Sequence, residues 1–118
     1  MADRTLTITV DRDWKGAFRA AGHAAQAGSY QGERLNFETP DAFFGHLTAR
    51  RWALAQTLIG AGEVSIRDLA RRVGRDVKRV HEDVKLLTEL GLIERTSNGG
   101  VRCPYADIHV DMHLREAV

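Results

Sequence analysis

The sequence predicts an α+β fold: a bihelical unit closed by a short β-hairpin, with a strand–helix segment before it and a single strand after it. Three observations predict this. Strict alternation of apolar and polar side chains marks Thr5–Val10 near one end and Ala106–Arg115 near the other, the period of a strand with one buried face. Between them, apolar residues recur at spacings of three and four, which is helical. Asn98-Gly99-Gly100 then separates two short strand-like runs, a hairpin signal.

In order, Leu6, Ile8 and Val10 face one way in the first strand and the threonines the other. Asp11 or Asp13 can cap a helix running to about Gln26, with Trp14, Ala17, Phe18, Ala21 and Ala25 as its apolar stripe. Arg34–Glu38 alternates again and suits a second strand. Thr39-Pro40-Asp41 reads as a helix start, because proline fits the first turn and aspartate complements the dipole. The helix that follows is expected over Asp41–Ile59. Its apolar positions Phe43, Phe44, Leu47, Trp52, Leu54, Ala55, Leu58 and Ile59 cover more than one stripe. Trp14 and Trp52 are expected in the core. His23 and His46 read as surface or packing residues. The expected division is 1–40 as an N-terminal extension, 41–103 as the central domain and 104–118 as a C-terminal strand and tail.

After the break at Gly60-Ala61-Gly62, Ser65 is a good N-cap, with Asp68 at the capping-box position. Ile66, Leu69, Ala70 and Val73 keep helical spacing until Gly74. Asp76 caps the next helix, expected over 76–90, with Val77, Val80, Val84, Leu87 and Leu90 as its stripe and Gly91 as its stop. Two helices joined by a short glycine-containing turn form the helix-turn-helix layout. A hairpin directly after the second helix, expected over 94–103, is a wing.

The formal net charge is only +1, which alone does not suggest nucleic acid. The distribution says more. Arg71, Arg72, Arg75, Lys78 and Arg79 crowd into nine residues against one acid, Asp76. Local field matters more than the total. A basic run is often just a solvated helix face, but this one falls at the turn and leading end of the second helix. There, long donors reach guanine O6/N7 or phosphate oxygens in the major groove. Glu82 and Asp83 oppose that reading. They repel phosphates unless they turn away, or unless Glu82 accepts from cytosine N4.

The stretch Ser65–Arg102 resembles the winged-helix core of MarR/ArsR-type bacterial and archaeal regulators. The resemblance is carried by Val64-Ser65-Ile66-Arg67-Asp68-Leu69-Ala70, Val80 through Val84, and Leu87-Thr88-Glu89-Leu90-Gly91-Leu92-Ile93-Glu94-Arg95. Glu82 departs from it, since many such helices carry a basic or small polar residue there. With its flanks, the chain is similar to small prokaryotic transcriptional regulators with an N-terminal strand–helix extension. Some of these are encoded beside toxins, so the resemblance also admits an antitoxin role with a cognate toxin as partner. The expected function is sequence-specific binding of double-stranded DNA as a transcriptional regulator, an autorepressor acting as a homodimer. Lys78, Arg79 and His81 are expected in the major groove, Ser65, Arg67, Arg75 and Lys85 at phosphates, and Arg95, Asn98 and Arg102 on the wing. The alternative is a winged helix that docks protein and not DNA.

Other chemistries are weaker. His109, Asp111 and His113 share one face of the last strand, but side chains there stand ~7 Å apart, too far to share an ion unaided. An amphipathic strand explains them better, and no metal or cofactor is expected. No catalytic groups converge and no glycine-rich phosphate loop is present, so an enzyme is not expected. No apolar run approaches the ~20 residues of a membrane span. The start lacks an apolar signal core, and Cys103 is the single cysteine. These features predict a cytoplasmic protein. The two terminal strands need partners, either each other or a second copy across a two-fold axis. The homodimer is expected to use the N-terminal strand–helix, the first long helix and the C-terminal strand.

Overall fold

Alternation at both ends of the chain does build strands, and they meet. The computed structural model describes residues 4–13 and 32–114. β1 (Thr5–Val10) pairs in parallel with β2 (Glu33–Phe37) on one side and with β5 (Asp107–Asp111) on the other, giving the order β2-β1-β5. The register sets Leu6 beside Ile108 and Ile8 beside both Leu35 and Val110. One face of the sheet is therefore apolar, and Leu6 and Ile8 are buried in it. The opposite face carries Thr7, Thr9, Asn36 and His109, with Thr9 Oγ1 donating to Asn36 Oδ1 at 2.6 Å. The expected terminal helix reaching Gln26, with Trp14 and His23 in it, lies outside the described residues.

Between β2 and β5 the chain forms α1 (Pro40–His46), α2 (Ala49–Leu58), α3 (Ile66–Val73) and α4 (Val77–Leu90). Among the described residues the fold is thus a mixed one, four helices with small sheets. The single helix expected over Asp41–Ile59 is two helices. Leu47 leaves the helical conformation (φ −101°, ψ 71°) while its side chain stays buried. Thr48 then starts a new helix by accepting from the Arg51 amide. The double apolar stripe reflects this. Phe43 and Leu47 are buried from one side of the break, and Leu54, Ala55 and Leu58 from the other. Phe44 remains 61% exposed and Trp52 half-buried at the rim of the core.

The α3–α4 pair follows its sequence signals closely. Ser65 Oγ accepts from the Asp68 amide at 3.1 Å and caps α3. The Asp68 carboxylate pairs with Arg71 and Arg72 rather than reaching back to the cap. Gly74 ends α3 with φ 68° and Gly91 ends α4 with φ 86°, backbone positions that a side chain would strain. β3 (Glu94–Arg95) and β4 (Val101–Arg102) then pair antiparallel. Val101 also exchanges two backbone hydrogen bonds with Val64, at 2.9 and 2.8 Å, which ties the hairpin to the start of α3. Leu54, Leu58, Leu69, Val80, Val84, Leu87, Leu92 and Val101 are fully buried in one core, continuous with Phe37 and the sheet.

Leu87 is at 0% exposure in the middle of this core. Leu87→Ala is expected to lower unfolding free energy by about 2–5 kcal/mol in urea titration, since it leaves a cavity close-packed neighbours fill only in part. A loss below about 1 kcal/mol overturns the packing described here.

Candidate functional site

Two helix starts open onto one concave surface. α2 begins at Thr48, whose hydroxyl accepts from the Arg51 amide at 3.4 Å. α4 begins at Asp76, whose carboxylate accepts from the Arg79 amide at 3.3 Å. Each cap satisfies a helix donor that would otherwise lack a partner. The turn between α3 and α4 is only Gly74-Arg75-Asp76, and the Arg75 amide closes it onto Ala70 O at 3.0 Å. The leading end of α4 is thereby held beside the start of α2. The hollow between them, about 500 Å³, is lined by Thr48, Arg50, Arg51, Arg75, Asp76, Lys78, Arg79, Glu82 and Asp83.

Asp83 organises its floor. Its carboxylate accepts from Arg51 Nε at 3.0 Å and from Arg75 Nη2 at 2.7 Å. Arg51 also donates to the His46 carbonyl at 3.0 Å, so one carboxylate links α1, α2, the turn and α4. The Asp83 side chain is 14% exposed, a setting where charge-assisted hydrogen bonds count for more than surface pairs. Burial pushes the carboxyl up, but the hydrogen bonds from Arg75 and Arg51 outweigh burial and hold it below its ordinary value. Arg75, read as a phosphate contact, thus has its guanidinium turned inward. Its Nη1 is buried and has no partner among the described residues. Asp83 is turned away from the outer surface, whereas Glu82 stays exposed on the rim.

The other anticipated residues divide into two groups. Lys78, Arg79, His81 and Lys85 are exposed on α4, and Arg67 and Arg95 are exposed on α3 and β3. None of the six has a side-chain hydrogen bond or ion pair to another described residue. The remainder are engaged. Ser65 is the cap of α3, Asn98 donates to Glu63 at 3.4 Å, and Arg102 pairs with Glu94 across the hairpin at 2.6 Å. The structure brings Lys78 and Arg79 into one hollow with Arg50. Reading Asp41–Ile59 as one helix missed Arg50. The signal for it was Thr48, a capping residue three positions before Arg51 and directly after the buried Leu47.

Elsewhere, Arg4 lies over the Tyr105 ring at 5.1 Å and pairs with Glu33, whose hydrogen bond raises its pKa further above the usual arginine value. Burial pushes the Cys103 thiol up, which disfavours the reactive thiolate. Among the described residues no three His, Cys, Asp or Glu side chains converge as for a metal. Among the same residues no helix is long and apolar enough to cross a membrane.

In comparison with known proteins, the model of the family described as HVO_A0114 matches residues 46–110, more than half of the chain. No curated protein and no solved structure matches.

Asp83→Ala is expected to cost about 1.5–3 kcal/mol in chemical unfolding at pH 7, because it leaves Arg51 and Arg75 without their shared acceptor. The depressed carboxyl also sets an acid limit. Its contribution is fully present above the ordinary value of 3.8 and is lost as pH falls from there through the lower folded value. Melting temperatures below about pH 4 should therefore fall more steeply for the wild-type chain than for Asp83→Asn. Parallel slopes refute the assignment.

Proposed function

The chain belongs to the HVO_A0114 family, whose matched stretch runs from the end of α1 through most of β5, and we propose that this stretch carries a winged helix-turn-helix unit of a homodimeric transcriptional regulator that binds double-stranded DNA. The reading rests on one observation above all. Among the described residues Lys78, Arg79, His81 and Lys85 stand exposed and unpaired on α4, while of the two acids among them Asp83 is folded inward onto Arg51 and Arg75 and Glu82 stays on the rim. A helix that presents long donors at its leading end and withdraws one of its two adjacent carboxylates suits the major groove, where the remaining one, Glu82, can accept from cytosine N4. The three-residue turn before α4 and the hairpin directly after it, anchored to Val64, support the same reading.

In this proposal Lys78, Arg79 and His81 read base edges. Arg67, Lys85 and Arg50 contact phosphates, as does the start of α2, where free amides and the helix dipole favour an anion. Arg95 serves the wing. Arg75 acts as an internal strut through Asp83. Arg102 is already balanced by Glu94 and adds little net field.

The test is an electrophoretic shift with DNA from upstream of the protein's own coding sequence, where an autorepressor would bind. Arg79→Ala is expected to weaken specific binding by about 1–3 kcal/mol while nearly sparing unrelated DNA. Arg50→Ala is expected to weaken both alike and to flatten the salt dependence by about one ion's worth. If Arg79→Ala weakens all sequences equally, Arg79 is a phosphate contact. Absence of any shift at low salt, where phosphate contacts are strongest, overturns the reading and leaves a protein-docking module.

A further inference from the structure

β1 has both edges filled within the chain, so it offers no backbone to a partner. β5 is different. Its inner edge pairs with β1, and no described strand pairs with its outer edge. Asp107, His109 and Asp111 are exposed along it, and Ile108 and Val110 are half-buried at the margin of the core. An unpaired edge strand of this kind is a template for another strand.

We infer that the occupant is a second copy of β5, paired antiparallel across a two-fold axis at Val110. This deepens the homodimer in the reading above and does not depend on DNA binding. The argument is one of charge and register. Residues directly opposed in an antiparallel pair share a face, so only every other register keeps the polar residues together and the apolar residues together. Centred on Val110, His109 faces the copy's Asp111 and Asp107 faces the copy's His113. The symmetry repeats both contacts. On the other face Val110 meets itself and Ile108 meets Met112. Every polar contact then sets an acid against an imidazole.

The neighbouring registers lack this match. Centred on His109, Asp107 opposes Asp111 and the histidine opposes itself. Centred on Asp111, that aspartate opposes itself and His109 opposes His113. Like groups directly opposite destabilise a sheet. Centred on Ile108, Asp107 meets His109, but the seam then runs into Ala106 and Tyr105. There Asp111 falls opposite Tyr105, which is buried with its hydroxyl donating to Gly91 O at 3.1 Å, so that carboxylate gains no imidazole. The Val110 register runs the other way, through Met112 and His113. His113 already lies 3.0 Å from Asp111, with both side chains half exposed. The seam extends β5 by two residues, and the two three-stranded sheets join into one.

Single cysteines at Ile108, His109 and Val110 in the full chain test the register, with the wild-type chain and its buried Cys103 as the blank. Sedimentation equilibrium should show a wild-type dimer, and mild oxidation should cross-link Val110→Cys but neither of the others. A maximum at position 108 or 109 overturns the register. A wild-type dimer with no cross-link at any of the three overturns the seam while leaving the dimer standing. A wild-type monomer at tens of micromolar overturns both. As a second arm, H109D sets two pairs of carboxylates face to face and should weaken dimerisation about tenfold. H109D/D111K should restore it by setting lysine against aspartate, and failure of that rescue also counts against the register. Electrophoretic shift of the wild-type chain tests DNA binding separately, so the two ideas fail independently.

Discussion

The carboxylate of Asp83 is the constraint on which the helical part depends. It takes one hydrogen bond from the first turn of α2 and one from the three-residue turn before α4. Arg51 extends the link to the end of α1 through the His46 carbonyl. Apolar packing alone positions these helices only loosely in rotation, because Leu and Val contacts tolerate small slides. Two charge-assisted bonds of defined direction remove that freedom. The same carboxylate leaves the outer face of α4, so positioning and surface charge come from one residue. Arg75 Nη1, buried without a partner among the described residues, shows that the arrangement is not free of cost.

Charge across the molecule follows a related logic. Sixteen acids nearly balance seventeen lysines and arginines, yet the balance is not uniform in space. Asp68 is spent on Arg71 and Arg72, Glu94 on Arg102, Glu33 on Arg4, and Asp83 on Arg51 and Arg75. Among the described residues, what remains unpaired on α4 and at the start of α2 is Lys78, Arg79, His81, Lys85 and Arg50 against Glu82 and Glu89, a cationic excess. A protein with almost no net charge therefore keeps a local positive field, and that field is what a nearby phosphate would feel within a Debye length.

The parallel sheet imposes a different demand. Strands at residues 5–10 and 107–111 are neighbours although the whole helical unit lies between them in the chain, and such non-local pairing forms slowly compared with helix contacts. Parallel neighbours also cannot be joined by a tight hairpin. The helical unit thus sits as an excursion between β2 and β5, and Phe37 and Phe43, 5.7 Å apart edge to face, stitch it to the sheet. Placing β1 in the centre hides the most apolar strand and leaves the more polar β5 at an edge, with Asp107, His109 and Asp111 exposed along it.

Local signals were legible in proportion to how local their physics is. Ser65, Gly74, Asp76 and Gly91 act on backbone groups within four residues, and each capped or stopped its helix where its type implied. The alternation in Thr5–Val10 and around Ile108 marked strands, because a half-buried strand must alternate. The break at Leu47-Thr48 was harder to see. Threonine caps one helix and is tolerated inside another, and only the packing of Leu47 into the core decides between them. Three further matters lay outside the sequence. The direction of strand pairing needed the whole chain, since alternation is the same in parallel and antiparallel sheets. The fate of Arg75 and Asp83 needed the approach of α2, because a charged side chain on a helix turns in or out according to what stands across from it. Arg50 gained its place only when two helix starts met. The sequence alone determined the elements and their caps, through interactions a few residues long. The tertiary structure decided which charges face inward, because that depends on partners tens of residues away.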